Sequence, residues 1–145
     1  MTKELDYYKG NKLIEYETPQ WFFDQLNREF EFTLDPCATH ENTKCEKYFT
    51  VTDNGLEQDW FGNVFMNPPY GRDIRRWVRK AHDEVMKSNA WLVVGLIPSR
   101  TDTKWFHRYI YRKAEIRFVQ GRIKFLQNGK EAGPAPFPSM VVIWR

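Results

Sequence analysis

The sequence predicts an α/β fold: a three-layer sandwich around a mostly parallel sheet, with antiparallel strands near the C-terminus. Three observations carry that expectation. Trp91–Ile97 is a near-continuous apolar run, the pattern of a strand buried on both faces of a parallel sheet, and Asn63–Met66 is a shorter one. Between them Ile74, Trp77, Val78, Ala81 and Val85 recur at helical spacing, which makes a strand, helix, strand unit. Both strands end in proline and polar residues, at Asn67-Pro68-Pro69-Tyr70 and at Pro98-Ser99-Arg100, and ligands of open α/β sheets bind at the carboxyl ends of strands.

Thr18-Pro19 reads as an N-cap followed by proline at the first helical position, opening a helix whose Phe22, Leu26 and Phe30 share one face. Phe32-Thr33-Leu34 is a short buried strand ending at Asp35-Pro36-Cys37-Ala38. Residues 39–62 are polar and broken, with a brief strand at Tyr48–Val51 and a turn at Asp53-Asn54-Gly55. A helix over about Asp73–Ser88 has Arg72, Arg75, Arg76, Arg79 and Lys80 crowding its first half. Thr101 or Asp102 caps the next helix, which carries Trp105, Phe106, Tyr109 and Ile110. Glu115–Val119 and Arg122–Leu126 alternate as strands around Gln120-Gly121, Asn128–Pro138 is a Gly/Pro loop, and Met140–Trp144 is the last strand. Trp77, Trp91, Trp105 and Trp144 are expected in the core.

A chain of 145 residues suits one domain, residues 1–145, with residues 1–13 as a flexible arm. The net charge of +3 is compatible with a nucleic-acid partner. Cys37 and Cys45 read as reduced thiols in a cytoplasmic protein. No apolar run approaches the ~18 residues of a membrane-spanning helix. The polar Met1–Lys12 has no secretory h-region.

The stretch Val64–Gly71 organises the rest. Pro68 and Pro69 cannot donate to a sheet ladder, so the strand must stop, and Asn67 before them is held extended. The result is a stiff bend offering an amide, an aromatic ring and backbone carbonyls. It has no acid, strong base or nucleophile. Convergent acceptors beside a flat ring suit an exocyclic amine on a heteroaromatic base. Hydrogen bonds from the amine to the Asn67 side-chain carbonyl and the Pro68 backbone carbonyl would stabilise positive charge developing on nitrogen. Tyr70 would stack on the base. A base inside a duplex has to be flipped out to reach such a pocket.

Asn67-Pro68-Pro69-Tyr70 resembles the catalytic tetrapeptide of amino-group DNA methyltransferases that use S-adenosylmethionine. Leu34-Asp35-Pro36-Cys37-Ala38 resembles the start of their first cofactor motif, and Gln58-Asp59-Trp60 their acidic–aromatic pair. From Thr18-Pro19-Gln20-Trp21 through Arg100-Thr101-Asp102-Thr103 to Pro136-Phe137-Pro138-Ser139-Met140, the chain is similar to compact phage-type DNA N6-adenine methyltransferases. The resemblance implies a Rossmann-like fold and methyl transfer from S-adenosylmethionine to adenine N6 in double-stranded DNA, in the cytoplasm of a bacterial host. It implies that Asn67 and Pro68 bind the amine, that Tyr70 stacks, and that Pro69 belongs to the catalytic set. It implies cofactor contacts from Thr18, Pro19, Asp35, Pro36, Cys37 and Ala38, with Asp59 accepting from the cofactor's adenine beside Trp60. No metal is expected.

The chain also departs from that pattern. Thr39-His40-Glu41 stand where the family at large has glycines. Only about 25 residues separate the Asp35 strand from the Asn63 strand, fewer than the roughly 30 of one βαβ unit, so the cofactor half is truncated. Glu41 and Asn42 are the candidates for the ribose. DNA contact falls to Arg72, Arg100, Lys104, Arg122, Lys124, Phe137 and the 127–138 loop, or to a second subunit of a homodimer. Plainer readings stand beside these. Asp35 also fits a turn-closing carboxylate and Asp59 a surface one. Cys37 after proline is similar to a cytosine-C5 nucleophile, but lacks the accompanying machinery and fits a small packed thiol better. Cys45 with His40 is too few ligands for a metal. His82 and His107 fit solvated or packed helix positions. The remaining rivals for function are N4-cytosine methylation and a non-catalytic DNA-binding module.

Overall fold

The structure, a computed structural model, describes residues 15–145; the flexible arm expected at residues 1–13 lies outside them. The elements are α1 (Gln20–Phe30), β1 (Leu34–Asp35), β2 (Lys47–Tyr48), β3 (Gly62–Met66), α2 (Ile74–Met86), β4 (Ala90–Pro98), α3 (Lys104–Tyr109), β5 (Glu115–Phe118), β6 (Leu126–Gln127), β7 (Lys130–Glu131) and β8 (Ser139–Trp144). The main sheet has the order β2-β1-β3-β4-β8-β5. Strands β2, β1, β3 and β4 are parallel, and β8 is antiparallel to both neighbours, β4 and β5. The sheet is therefore mostly parallel, as expected, and β8 runs against the rest.

Alternation along the central strands sorts the core into two sides. Val64 and Met66 of β3, Val93 and Ile97 of β4, and Met140, Val142 and Trp144 of β8 join the packing with α2 and α3. Phe65, Val94, Leu96, Val141 and Ile143 face the other way, onto Phe22, Phe23 and Phe30 of α1 and onto Ile123, Phe125 and Ala135. Three layers result. The second outer layer is only partly helical, since most of it is the chain between β5 and β8.

Between β1 and β3 lie only β2 and a short 3-10 turn, Gly55–Glu57, in keeping with a truncated half. Asn54 sits in the left-handed region at φ 56° and takes the Leu56 N–H on its side chain, as the Asp53-Asn54-Gly55 turn signal requires. A Cβ on Gly55 would collide with the Pro36 carbonyl oxygen, so only glycine lets this turn close on the Asp35 loop.

Five local expectations are corrected. Thr18 makes no side-chain cap; the Pro19 carbonyl receives the N–H groups of Phe22 and Phe23 instead. Thr103, not Thr101 or Asp102, caps α3 by accepting from Phe106 N. Strand β2 is Lys47–Tyr48, because at Thr50 the backbone N–H turns to the Asp53 carboxylate. Arg122–Leu126 is not the partner of β5; β5 pairs with β8, and the hairpin is β6–β7 around Asn128-Gly129. Trp91 is 78% exposed, because the register skips from Gly62↔Ala90 to Asn63↔Leu92 and leaves Trp91 on a bulge.

Candidate active site

Strand β3 exits into the proline bend in the centre of the sheet, where the chain's polar atoms converge. Asn67 Nδ2 donates to the Tyr16 carbonyl at 2.6 Å and to Thr18 Oγ1 at 2.9 Å. Asn67 Oδ1 is buried and has no hydrogen-bond partner among the described residues. Buried side-chain acceptors are seldom left this way, and the exceptions ask for a ligand or water. Tyr70 donates its hydroxyl to the Leu96 carbonyl at 2.9 Å, which fixes the ring. One face of that ring stacks on Tyr16, at 5.3 Å between centroids and 22° between planes, while Phe137 meets it edge-on at 5.5 Å. Burial pushes the Tyr70 phenol well up, so it stays neutral.

The Asp35 loop is tied to the bend. Asp35 is 5% exposed at the end of β1. Its carboxylate accepts from Cys37 N at 3.4 Å and from Lys44 N at 3.1 Å, closing residues 35–44 into a compact loop. Burial pushes its carboxyl up to about 6 against the pull of those N–H groups. Ala38 N donates to the Phe49 carbonyl, and Phe49 N to the Asp35 carbonyl, which seats the loop against the end of β2. Cys37 Sγ donates to the Asn67 backbone carbonyl at 3.2 Å. Its thiol is pushed well up by burial and by Asp35, so it is a packing and bridging group rather than a thiolate.

A cleft of about 540 Å³ adjoins the bend, lined by Glu15, Glu17, Thr18 and the 39–44 loop on one side and by Leu126, Asn128 and Gly129 on the other. Glu17 organises it. Its backbone pairs with Leu126, and its carboxylate takes Gly129 N at 2.9 Å and Asn42 Nδ2 at 3.2 Å. Of the predicted cofactor residues Thr18 lines the cleft, as do Glu41 and Asn42, while Pro19, Asp35, Pro36, Cys37 and Ala38 are not in its wall. Asp35–Ala38 instead carry the 39–44 loop. Tyr16, Glu17 and Lys44 had no signal of their own in the sequence, being single side chains that loops bring in, and Asn128-Gly129 had only that of a hairpin turn.

Asp59 and Trp60 lie apart from the bend. Trp60 is fully buried, stacked on Trp77 at 6.2 Å, with its indole N–H on the Gly55 carbonyl at 2.8 Å. Its backbone N–H meets Glu84 near the end of α2, at 2.6 Å. Asp59 is exposed and precedes β3, at the amino end of the sheet, whereas the bend leaves β3 at its carboxyl end. The predicted DNA-contacting groups fare differently. The topology brings all of them to the carboxyl rim: Arg72 after the bend, Arg100 and Lys104 after β4, Arg122 and Lys124 after β5, and Phe137 before β8. The five cations are exposed and Phe137 is half-buried. On α2, Arg76 and Arg79 make loose ion pairs with Asp73 and Asp83. Among the described residues no three His, Cys, Asp or Glu side chains converge as metal ligands, and no helix is long and apolar enough to cross a membrane.

A mostly parallel sheet carrying an Asn-Pro-Pro-Tyr corner at the end of a central strand defines a class, the Rossmann-like methyltransferases. The chain belongs to one family within it: the model described as DNA N-6-adenine-methyltransferase (Dam) matches residues 10–145. It is 33% identical over 135 residues to the DNA N-6-adenine-methyltransferase of Haemophilus phage HP1, covering 89% of this chain and 77% of that protein. It is 31% identical over 133 residues to the DNA N-6-adenine-methyltransferase of Escherichia phage T1, covering 86% of this chain and 54% of that protein. A 64-residue stretch is 38% identical to the putative methyltransferase YfdM of Escherichia coli K12, covering 39% of this chain and 70% of that protein.

Proposed function

We propose that this chain transfers a methyl group from S-adenosylmethionine to the N6 amine of adenine in double-stranded DNA, in the cytoplasm of a phage's bacterial host. The observation that carries the reading is the orphaned Asn67 Oδ1, a buried acceptor at the mouth of a proline-locked strand end. An exocyclic amine supplies the missing donor. Family membership and the names of the phage relatives support adenine in DNA as the substrate.

The residues present fit the cofactor. The cleft lies in the size range of small-molecule sites. It holds carboxylates for an ammonium group, Lys44 for a carboxylate, and Glu41 and Asn42 for ribose hydroxyls. Thr18 belongs to both the cleft and the bend, which puts the two half-sites side by side. The cofactor supplies an electrophilic methyl group on a sulfonium. Asn67 Oδ1 and the Pro68 carbonyl accept from the amine hydrogens and hold the positive charge that develops on nitrogen. Pro69 keeps the corner stiff. Tyr70 positions the everted base, a contact worth about 1–3 kcal/mol in other base–aromatic pairs. Arg72, Arg100, Lys104, Arg122 and Lys124 take phosphates along the rim, with Phe137 beside the base. A second subunit is one source of further DNA contacts.

The test is nucleoside analysis of unmethylated duplex DNA after incubation with the protein and S-adenosylmethionine. N6-methyladenine is expected. N4-methylcytosine would move the substrate to cytosine, and DNA binding without any methylated nucleoside would make the chain a binding module.

A further inference from the structure

We propose that Thr18 is a positioning residue for the catalytic amide: its hydroxyl oxygen, with the Tyr16 carbonyl, holds Asn67 so that the oxygen and not the nitrogen of the side chain faces the target amine. The inference deepens the proposed methyl transfer and rests on that reading for its kinetic consequence only.

An asparagine amide has two chemically opposite ends, two donors on nitrogen and an acceptor oxygen, and it can pivot to present either. At this corner the choice is made by the neighbours. A backbone carbonyl can only accept, and the Tyr16 carbonyl lies 2.6 Å from the amide, so the atom facing it must be nitrogen. The second amide hydrogen goes to Thr18 Oγ1 at 2.9 Å. Both nitrogen hydrogens are thereby engaged, and Oδ1 is left buried with nothing bound to it. Turning the amide over would set two oxygens against each other at Tyr16 and leave the nitrogen unmatched to an amine donor. Thr18 is 3% exposed, so water does not replace it as the second acceptor. The hydroxyl is not spent on capping α1. This use of Thr18 also explains why a threonine precedes Pro19 when the helix draws its first hydrogen bonds from the Pro19 carbonyl.

Replacing Thr18 with valine keeps the shape and removes the acceptor; replacing it with serine keeps the acceptor. For Thr18→Val we expect kcat to fall by about 10- to 100-fold, as when a reacting group loses its aim. The KM for DNA and the Kd for S-adenosylmethionine should stay within about threefold of wild type, and Thr18→Ser should recover most of kcat. An unchanged kcat in Thr18→Val, a loss that serine does not restore, or a loss carried by cofactor Kd alone would overturn the proposal. A second readout does not need turnover. The Asn67 side-chain NH₂ pair in nitrogen–proton NMR spectra, assigned by its absence in Asn67→Asp, should be shifted and slow to exchange in wild type and Thr18→Ser. In Thr18→Val one of the two hydrogens should lose that protection. If wild type proved unable to methylate DNA, the proposed function would fall, while the NMR comparison would still decide whether Thr18 orients the amide; identical NH₂ signals in all three proteins would refute it.

Discussion

The two ends of β3 bury polar groups in opposite ways. At the amino end the Trp60 N–H meets Glu84 at 2.6 Å and its indole meets the Gly55 carbonyl at 2.8 Å, while Lys80 lies 3.7 Å from the same carboxylate. Both Trp60 donors and one Glu84 oxygen are matched there from within the chain, while the other Glu84 oxygen, buried without a hydrogen bond, has the Lys87 ammonium 3.8 Å away. At the carboxyl end Asn67 gives both amide hydrogens to Tyr16 and Thr18 and keeps its oxygen unmatched. The first arrangement serves folding. The second leaves an acceptor with neither a hydrogen bond nor a nearby opposite charge from the fold, which suits it to an arriving donor.

The sharpest way to break the contrast is to remove each acceptor. Asn67→Ala should lower methyl transfer by at least about 10²- to 10³-fold. Cofactor affinity, read by calorimetry, should stay within a few-fold. Collapse of cofactor affinity would show that the bend is not the base-binding half. Glu84→Ala should act on stability instead and cost about 2–4 kcal/mol in guanidinium unfolding, since it strands the buried Trp60 N–H and takes the carboxylate from Lys80. A loss below about 1 kcal/mol would mean the amino end is no better matched than the carboxyl end.

Asp35 sharpens the comparison through pH. Burial raises its carboxyl to about 6, so the folded chain binds that proton more tightly than the unfolded chain does. Its contribution is therefore most favourable below about pH 4, declines by up to about 3 kcal/mol as pH rises to about 6, and is level above. Urea unfolding of wild type and Asp35→Asn across that range should show the decline in wild type and a shallower one in the variant. Equal slopes would place the buried charge elsewhere. The smallest effect belongs to Trp91→Ser, where a bulged, exposed ring should change stability by no more than about 0.5 kcal/mol. A loss of several kcal/mol would mean the ring is covered in solution.

What could be read from sequence follows from what each feature depends on. The bend was legible because two prolines dictate backbone shape locally, whatever surrounds them. The central strands were legible because burial on both faces leaves a continuous apolar run. Trp91 was misplaced because the bulge beside Gly62 is a property of two strands in register. The hairpin was misplaced because Arg122–Leu126 alternates like a strand, yet Ile123 and Phe125 are used to cover the sheet face, and Asn128-Gly129 makes the turn. Which end of the sheet Asp59-Trp60 occupies was not legible, because an acidic–aromatic pair before a strand looks the same at either end. The cleft residues were not legible as a set, since Glu17, Asn42 and Gly129 meet only after three separate segments converge.

Tyr16 lies flat against one face of Tyr70. A nucleobase stacking on that face would have to displace a phenol, so part of its stacking energy would go to replacing a contact the chain already makes. The pull that keeps a nucleotide everted then has to come from its amine and from its phosphates. Association with DNA would accordingly weaken steeply with added salt and respond less to the size of the aromatic surface offered.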